Sequence, residues 1–346
     1  MKMGILFGGS SFEHEISIVS AITMKKVLKD IELVFIYVDD EREFYHIGEK
    51  EMNSDFFSKG LYKKNKKVIF KSGEILEVGL VRNKILEMDA VLNIIHGRDG
   101  EDGKISAILD FYRIPSISPS MEASVYSYSK LNTKYLAEIV GVKTLGYQVV
   151  NKGDKDINIE NFPVIIKPVH LGSSIGITIV ENENELDYAI DIGFEFDDQL
   201  IIEPYLDNVR EYNKAGVYIN DWKLSITEEP KKDGFLGFDE KYLNFSQTNK
   251  VVGATITKKE EQEINDNFKK IYSKLFKGSL IRCDFFIIDG VVYLNEINAV
   301  PGSMAHYLFN GNFEGLIKGM IKEIRVESKI RVDFDYINKL NGSKTI

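Results

Sequence analysis

The chain has 346 residues, of which 44% are hydrophobic and 28% charged, and its formal net charge is −9 at pH 7. The length predicts two or three domains of roughly 100–200 residues each, and the apolar fraction excludes wholesale disorder. The negative charge argues against nucleic acid or an anionic membrane as a partner, because both select basic surfaces. A single cysteine excludes an intrachain disulfide framework, so we expect a reducing, cytoplasmic location. The sequence has no apolar run of roughly 20 residues, so no membrane-spanning helix is predicted.

The first third of the chain alternates apolar runs with a helical pattern. Residues 4–7 are an apolar run, a Gly-Gly-Ser-Ser turn follows, and residues 16–28 carry apolar side chains at helical spacing. A second apolar run at residues 33–38 completes a βαβ unit, which predicts a parallel sheet. Residues 41–67 are charged and irregular, and residues 90–95 again have the pattern of a buried strand. These features predict an N-terminal α/β domain.

The rest of the chain contains further strand and helix patterns. Residues 151–161 are polar and are expected to form a surface loop. Residues 228–257 are long, polar and weakly patterned, which is typical of a functional or disordered loop. Strands are predicted at residues 162–169 and 199–206, with a helix between them at 184–192. A later amphipathic helix is predicted at residues 258–276.

Residues 281–298 contain two β-rich runs on either side of Asp-Gly, which predicts a β-hairpin. A two-residue loop would place Asp284 and Glu296 on opposite faces of this hairpin. A three-residue loop pairs Ile287 with Val291, and one face of the hairpin is then almost entirely apolar. We therefore predict the three-residue register.

In that register, four polar side chains gather at one end of the hairpin. Arg282 lies opposite Glu296, and Asp284 and Asn298 share their face. Two carboxylates and an amide oxygen suit Mg²⁺, particularly when a substrate phosphate completes the coordination. The alternative interpretation is a solvated face with a cross-strand Arg–Glu pair. These residues alone do not decide between the two.

A candidate phosphate site precedes this hairpin. Lys167 lies within an apolar strand pattern, which is costly unless an anion meets it. A Gly-Ser-Ser-Ile-Gly loop at residues 172–176 offers backbone N–H groups and hydroxyls to phosphate oxygens, although such a loop in isolation is more often a plain turn. Lys130 is a weaker candidate cation. The glycine-rich block at residues 96–104 lacks the spacing and the Ser or Thr of a P-loop.

Six short blocks follow one another along nearly the whole chain. They are Gly-Gly-Ser-Ser-Phe-Glu-His-Glu-Ile-Ser at residues 8–17, His-Gly-Arg-Asp-Gly-Glu-Asp-Gly at 96–103, Lys-Pro and Gly-Ser-Ser-Ile-Gly at 167–176, Glu-Lys-Tyr at 240–242, Arg-Cys-Asp-Phe at 282–285, and Asn-Glu-Ile-Asn with Pro-Gly at 295–302. Each block alone is weak. In this order they resemble the D-alanine:D-alanine ligase family of the ATP-grasp superfamily.

The resemblance implies an α/β and α+β fold of three domains. These are a Rossmann-like N-terminal substrate-binding domain at residues 1–127, a central ATP-grasp domain at 128–207 and a C-terminal ATP-grasp domain at 208–346, with a lid at about 228–257. It also implies a homodimer that uses ATP to phosphorylate one D-alanine, whose acyl phosphate is attacked by the amine of a second. The dipeptide is used for peptidoglycan precursors.

The resemblance further implies roles for individual residues. Two Mg²⁺ ions, with Mn²⁺ as the alternative, would be held by Asp284, Glu296 and Asn298. The catalytic group would consist of Glu13, which receives the first ammonium, the orienting pair Ser173 and Tyr242, and an oxyanion hole of Arg282 and the N–H of Gly302. Nucleotide contacts would come from Lys130, Lys167, Ser174, Glu203, Glu211 and Lys241. Substrate contacts would come from Glu13, His96, Ser303 and Tyr307.

The sequence departs from the family pattern at four places. Tyr-Ser precedes Lys130 where the family has Met-Asp, and Pro204 replaces a lysine after Glu203. The lid block at residues 236–242 reads Leu-Gly-Phe-Asp-Glu-Lys-Tyr and differs from the usual motif. Tyr307 stands where a serine is expected to hold the carboxylate of the second D-alanine, a role that Ser303 could take over.

Three other functions remain open from the sequence. A related ligase that joins D-alanine to D-lactate is disfavoured by Lys241 and Tyr242, a pair that the vancomycin-resistance ligases lack. Another ATP-grasp carboxylate–amine ligase would act on a different amino acid. A non-catalytic nucleotide-binding protein is disfavoured by the retained polar residues of the hairpin.

Overall fold

The described residues form four β-sheets with α-helices packed against them. The computed structural model describes residues 1–155, 157–230, 253–324, 326 and 328–342, and the elements below are those of these residues. The strands are β1 Lys2–Gly8, β2 Glu32–Val38, β3 Phe44–Ile47, β4 Val68–Lys71, β5 Glu74–Glu77, β6 Lys84–Ile85, β7 Ala90–Asn93, β8 Ser116–Ile117, β9 Gln148–Asn151, β10 Val164–Pro168, β11 Thr178–Val180, β12 Gln199–Pro204, β13 Arg210–Ile219, β14 Asp221–Glu228, β15 Ile281–Ile288 and β16 Val291–Asn298. The helices are α1 His14–Val27, α2 Ser54–Ser58, α3 Lys104–Phe111, α4 Met121–Tyr128, α5 Lys130–Ile139, α6 Leu186–Phe194, α7 Lys258–Leu275, α8 Phe313–Glu323 and α9 Asp335–Gly342.

The first sheet has the strand order β3-β2-β1-β7-β8. Strand β1 pairs in parallel with β2 and β7, and α1 follows β1 directly, which confirms the predicted βαβ unit. At Gly8 the backbone has φ 98°, and a Cβ atom would lie 2.1 Å from the carbonyl oxygen of Val38. Only glycine therefore lets the chain leave the sheet here. The segment at 41–67, which was expected to be irregular, contains β3 and α2. Alternate side chains of β3 are buried, which stabilises this strand at the edge of the sheet.

Two antiparallel four-stranded sheets follow. The sheet β11-β10-β12-β9 packs against α6, and the sheet β14-β13-β15-β16 contacts α7. Helix α7 begins with a capping box in which the Thr257 hydroxyl accepts from the Glu260 N–H and the Glu260 carboxylate accepts from the Thr257 N–H. The strands and helices predicted for this half of the chain are confirmed, with ends shifted by a few residues. The predicted lid lies mostly outside the described residues.

The predicted register of the β15–β16 hairpin is wrong at its turn. Ile288 pairs with Val291, so the loop has two residues, Asp289 and Gly290, with φ values of 50° and 74°. Both angles are left-handed, as in the type I′ turn that suits a two-residue hairpin. The predicted register also places Val291 and Tyr293 on the apolar face of β16, which is wrong, since the fully buried side chains on this strand are those of Val292 and Leu294.

A β-bulge brings the polar residues together in a different alignment from the predicted one, since Arg282 pairs with Asn298 and not with Glu296. Beyond the turn Phe285 pairs with Leu294, but Asp284 pairs with Glu296, so Asn295 is the extra residue on β16. The bulge shifts the later side chains of β16 by one position. Asp284 and Glu296 therefore lie directly opposite each other despite the two-residue loop.

A continuous apolar core joins the N-terminal and C-terminal parts of the chain. Met24 of α1 and Leu28, the residue after the helix, belong to the same buried cluster as Met304 and Phe313. This packing sets the position of the loop before α1 relative to the end of the hairpin. Within the described part of the chain, no helix is long and apolar enough to cross a membrane.

Candidate active site

Glu13 lies between β1 and α1, and its carboxylate is buried at 8% exposure. The hydroxyl of Ser173, 160 residues away, donates a hydrogen bond to it. Gly97 leaves room for the carboxylate, since a Cβ atom there would lie 2.5 Å from Glu13 Oε2. Burial, the largest cause, raises the pKa of Glu13, and Glu101 raises it further, whereas the Ser173 hydroxyl opposes the shift. The site therefore holds a desolvated carboxyl that a cationic ligand would stabilise as the anion.

The loop after β10 carries two serines in left-handed conformations. Ser173 and Ser174 have φ values of 55° and 60°, which cost on the order of 1–3 kcal/mol each and are typical of functional sites. The ammonium of Lys130 donates to the carbonyl of Leu171 at the start of this loop. Burial lowers the pKa of Lys130, while the charge of Glu296 opposes that effect. Lys130 therefore lies within the site rather than on the surface.

Lys167 and Glu203 form a buried ion pair on adjacent strands. The Lys167 ammonium lies 2.7 Å from one oxygen of Glu203, and the Lys134 ammonium lies 2.5 Å from the other. Burial would raise the pKa of Glu203, but the two lysines hold it below its ordinary value. Two cations on one carboxylate leave this pocket with net positive charge. Glu211 lies in the neighbouring sheet on β13, opposite Phe286.

Sequence reasoning missed Lys134. It lies four residues after Lys130 on α5, a spacing that places both side chains on one face of the helix. This spacing is the feature of the sequence that could have identified Lys134. The structure distinguishes it from a surface lysine, because Lys134 is only 5% exposed.

The polar end of the hairpin is organised around Asp284. The guanidinium of Arg282 donates two hydrogen bonds to its oxygens, at 2.7 and 2.8 Å, and the amide of Asn298 donates a third at 3.0 Å. Burial would lower the pKa of Arg282, but Asp284 holds it well above its ordinary value. The predicted gathering of Arg282, Asp284, Glu296 and Asn298 is confirmed.

The donor set of this end fits a hard divalent cation. The nitrogen of the Asn298 amide donates to Asp284, which leaves its oxygen as an acceptor beside the carboxylates of Asp284 and Glu296. Among the described residues no three His, Cys, Asp or Glu side chains cluster. A metal site here therefore depends on the amide oxygen and on ligands supplied by a substrate.

The segment after Pro301 has a left-handed backbone turn. Ser303, Met304 and Ala305 have φ values of 46°, 52° and 48°, and none of them is glycine. The Met304 N–H donates to the carbonyl of Pro301 at 2.7 Å. Gly302 precedes this turn, so the direction of its N–H depends on the turn being maintained.

The two candidates for holding a second substrate differ in their surroundings. Tyr307 lies against Arg282, and burial raises the pKa of its hydroxyl while Arg282 opposes the shift. Ser303 is buried, and its N–H donates to the hydroxyl of Ser20 on α1. Tyr307 therefore contacts the polar end of the hairpin, whereas the N–H of Ser303 contacts helix α1.

His96 is buried behind Glu13. Its Nε2 lies 2.9 Å from the hydroxyl of Ser20, and its Nδ1 lies 3.7 Å from Glu101. Burial, the largest cause, lowers the pKa of His96. The structure therefore places His96 in contact with protein groups, and neither Ser20 nor Glu101 was identified from the sequence. Tyr242 and Lys241 lie outside the described residues.

Glu101 predicts a measurable pH dependence of stability. Burial, the largest cause, raises its pKa from 4.5 to about 8. Between these values the folded chain keeps the proton that the unfolded chain loses, so the free energy of unfolding falls as the pH rises from about 5 to about 8. Glu101→Gln mimics the protonated form, and we expect its melting temperature to exceed that of the wild type by a margin that widens over this range.

The control for this experiment is Glu122→Gln, at an exposed position on α4. Its melting temperature should follow that of the wild type at every pH. A gap between Glu101→Gln and the wild type that stays constant from pH 5 to pH 8 would contradict the protonated state of Glu101. Calorimetry at four or five pH values is sufficient.

Comparison with known proteins finds relatives that match nearly the whole chain. Family models described as D-ala D-ala ligase N-terminus and D-ala D-ala ligase C-terminus match residues 2–119 and 136–319. The chain is 52% identical over 345 residues to a protein of Sulfurovum sp. and 50% identical over 345 residues to one of Campylobacter jejuni, both named D-alanine--D-alanine ligase, with 99% of each chain covered. The crystal structure of D-Alanine-D-Alanine Ligase from Helicobacter pylori superimposes with a TM-score of 0.84 at 42% identity, covering 95% of this chain and 100% of that one.

Proposed function

Because the chain belongs to the D-ala D-ala ligase family, we propose that it joins two D-alanine molecules into D-alanyl-D-alanine at the expense of ATP. The products would be the dipeptide, ADP and phosphate, and the dipeptide would be used for peptidoglycan precursors. The observation that carries this proposal is the contact of Ser173 with Glu13, which joins the phosphate loop to a buried carboxylate. A nucleotide and an amino acid would meet at that contact.

The first half-reaction needs an ammonium site beside a phosphate site. Glu13 would accept the ammonium of the first D-alanine, whose binding restores the charge that burial disfavours. Lys130 and Lys167 would hold the phosphates of ATP as point charges, together with the hydroxyl of Ser174. One oxygen of the substrate carboxylate then forms a bond to the γ-phosphorus as the bond from that phosphorus to the ADP oxygen breaks.

The second half-reaction develops negative charge on the carbonyl oxygen. The deprotonated amine of the second D-alanine attacks the acyl phosphate, forms the C–N bond and releases phosphate. Arg282 and the N–H of Gly302 would stabilise the oxyanion of the tetrahedral intermediate. Arg282 is already fixed by its two hydrogen bonds to Asp284, so little reorganisation is needed during the reaction.

The same end of the hairpin would hold the metal. Asp284, Glu296 and Asn298 are oxygen donors of the kind that Mg²⁺ prefers, and Mn²⁺ would bind the same set. Bound there, two divalent ions would neutralise the charge of the phosphates. Glu203 and Glu211 would contact the adenosine part of ATP. Pro204 stands where the family has a lysine, so this chain would lack one cationic contact to that part of the nucleotide.

Domain organisation, assembly and location are extensions of this proposal. We propose domains at residues 1–127, 128–207 and 208–346, a lid at about 228–257 that carries Lys241 and Tyr242, a homodimer, and a cytoplasmic location. The family resemblance supports all of them, and the separate sheets of residues 2–117, 148–204 and 210–298 support the domain division.

The proposed function is tested by phosphate release from ATP. The purified chain is expected to release phosphate only with Mg²⁺ and D-alanine, not with L-alanine, and to form the dipeptide in equal amount. Absence of turnover that depends on D-alanine would overturn the proposal. Greater activity with D-alanine plus D-lactate would instead identify a depsipeptide ligase.

Tyr307→Phe tests how the second substrate is held. Removal of the hydroxyl beside Arg282 is expected to raise the KM of the second D-alanine by about tenfold, the equivalent of one hydrogen bond to a charged group. The KM of the first D-alanine should change less than twofold. Rates measured over a wide range of D-alanine concentration give both constants, and equal increases in the two would place the second carboxylate elsewhere.

A further inference from the structure

The hydroxyl of Ser20 bridges two parts of the site that are far apart in sequence. Ser20 lies on α1 at 1% exposure, and its Oγ accepts a hydrogen bond of 3.0 Å from the N–H of Ser303, 283 residues away. The same Oγ lies 2.9 Å from Nε2 of His96. Two buried polar groups from two other segments of the chain therefore meet at this hydroxyl.

The hydroxyl of Ser20 has one contact with a fixed direction and one without. It accepts from the backbone N–H of Ser303, whereas in its contact with Nε2 of His96 the donor is set by the tautomer of the imidazole. Burial, the largest cause, lowers the pKa of His96 and favours the neutral ring. The role of Ser20 depends on the bond from Ser303, whose direction is the same for either tautomer.

The bond from Ser303 reaches the left-handed turn at its first residue. Ser303, Met304 and Ala305 all occupy a backbone region that residues other than glycine rarely adopt. Such a turn persists only where its surroundings maintain it, and the N–H of Ser303 has its acceptor on α1 rather than within the turn. The Gly302 N–H belongs to the preceding peptide, whose Pro301 carbonyl accepts from Met304 N–H within the turn, so a turn held by Ser20 also fixes the direction of the Gly302 N–H.

Helix α1 is a rigid support for this contact. Glu13 immediately precedes the helix, Ser20 lies two turns farther along it, and Ala21 and Met24 of the helix share a buried core with Met304 of the turn. One helix thus fixes the position of the Glu13 carboxylate relative to the left-handed turn at residues 303–305.

We propose that Ser20 is a positioning residue for the second half-reaction: its hydroxyl holds the turn at residues 303–305 so that the Gly302 N–H and Tyr307 meet the tetrahedral intermediate and the second D-alanine. This inference rests on the proposed function. It assigns Ser20 no contact with substrate, and it predicts that loss of the hydroxyl damages amide formation while phosphoryl transfer to the first D-alanine continues.

Ser17 provides a matched control on the same helix. Its hydroxyl is also fully buried, accepts from the N–H of Gly8 at 2.9 Å and donates to the carbonyl of Ile94 at 2.7 Å. Both of these partners belong to the first sheet and its adjoining loops. Ser17→Ala therefore removes an equally buried hydroxyl without releasing the 303–305 turn.

The experiment compares the two half-reactions in Ser20→Ala, Ser17→Ala and the wild type. Phosphoryl transfer is measured by positional isotope exchange in ATP labelled with ¹⁸O, at D-alanine concentrations that fill the first site only, and amide formation is measured as dipeptide. In Ser20→Ala we expect dipeptide formation to fall by about tenfold, with a higher KM for the second D-alanine. Isotope exchange should stay within twofold of the wild type, and Ser17→Ala should keep the wild-type ratio of the two rates.

Equal losses of both rates in Ser20→Ala, no loss of either, or the same change of ratio in Ser17→Ala would each overturn the role of Ser20. If Ser20→Ala does not fold, Ser20→Cys keeps the size of the side chain with a weaker acceptor, and it should shift the ratio in the same direction. An unchanged ratio in a folded Ser20→Cys would then overturn the proposal. A wild-type chain without isotope exchange in the presence of D-alanine would instead mean that the proposed function itself is wrong.

Discussion

Glu296→Gln is expected to lower kcat by at least about a thousandfold while the chain stays folded. Glu296 lies opposite Asp284 at the end of the hairpin and supplies one of two carboxylates in the proposed metal site. Glutamine keeps the shape of the side chain but weakens one hard ligand, and a metal-bound transition state is worth several kcal/mol, which corresponds to a rate factor of this size. The measurement is phosphate release with D-alanine, together with the melting temperature.

Asp289→Asn is the matched control for that variant. Asp289 lies in the turn of the same hairpin, is exposed, and has a left-handed φ of 50° that asparagine tolerates. The same acid-to-amide change at the far end of the hairpin should leave turnover within twofold of the wild type. Full activity in Glu296→Gln would refute the metal assignment, as would a collapse of both variants, which would indicate damage to the hairpin itself.

Glu13→Gln is expected to lower kcat/KM for the first D-alanine by about a hundredfold. The carboxylate is the proposed partner of the substrate ammonium, and truncating one side of a buried charge pair costs about 2–5 kcal/mol. Glutamine can still accept the hydrogen bond from Ser173, so the contact between the two segments is retained. Initial rates at limiting D-alanine give kcat/KM, and the KM of ATP should change little.

The control for Glu13→Gln is Glu15→Gln. Glu15 lies in the first turn of the same helix and is exposed. It should leave kcat/KM unchanged within twofold. A loss in Glu13→Gln that affects only ATP, or a wild-type affinity for the first D-alanine, would place the ammonium elsewhere.

The hairpin illustrates what sequence reasoning can establish and where it fails. The alternation of apolar side chains and the Asp-Gly turn predicted a hairpin correctly, and the polar residues at its end gather as predicted. The loop length and the pair Arg282–Glu296 were wrong, because a two-residue loop followed by a bulge at Asn295 pairs Glu296 with Asp284 instead. A bulge depends on the burial of Leu294 against the core, and that packing is a tertiary property which the local pattern does not contain.

The residues missed by sequence reasoning share a physical cause. Ser20 meets Ser303 across 283 residues, and Lys134 meets Glu203 from a different element. Within its own segment each side chain has an ordinary explanation: Ser20 is a small polar residue in a helix, and Lys134 is a lysine on a helix face. Glu13, Lys167 and Arg282 were identified because they belong to blocks whose combined order is specific, although the burial that gives each its altered charge state was not predictable.

The two lysines that contact Glu203 help to explain how a protein with a net negative charge can bind an anionic ligand. At physiological ionic strength the Debye length is about 8 Å, so most of the surface charge is screened from an approaching nucleotide. The field that remains at the pocket comes from Lys130 and from the excess of positive charge of Lys134 and Lys167 over Glu203, in buried surroundings that reduce screening. The chain can therefore keep the net negative charge that favours solubility and still present a locally positive entrance, with capture of the nucleotide less sensitive to salt than surface steering would be.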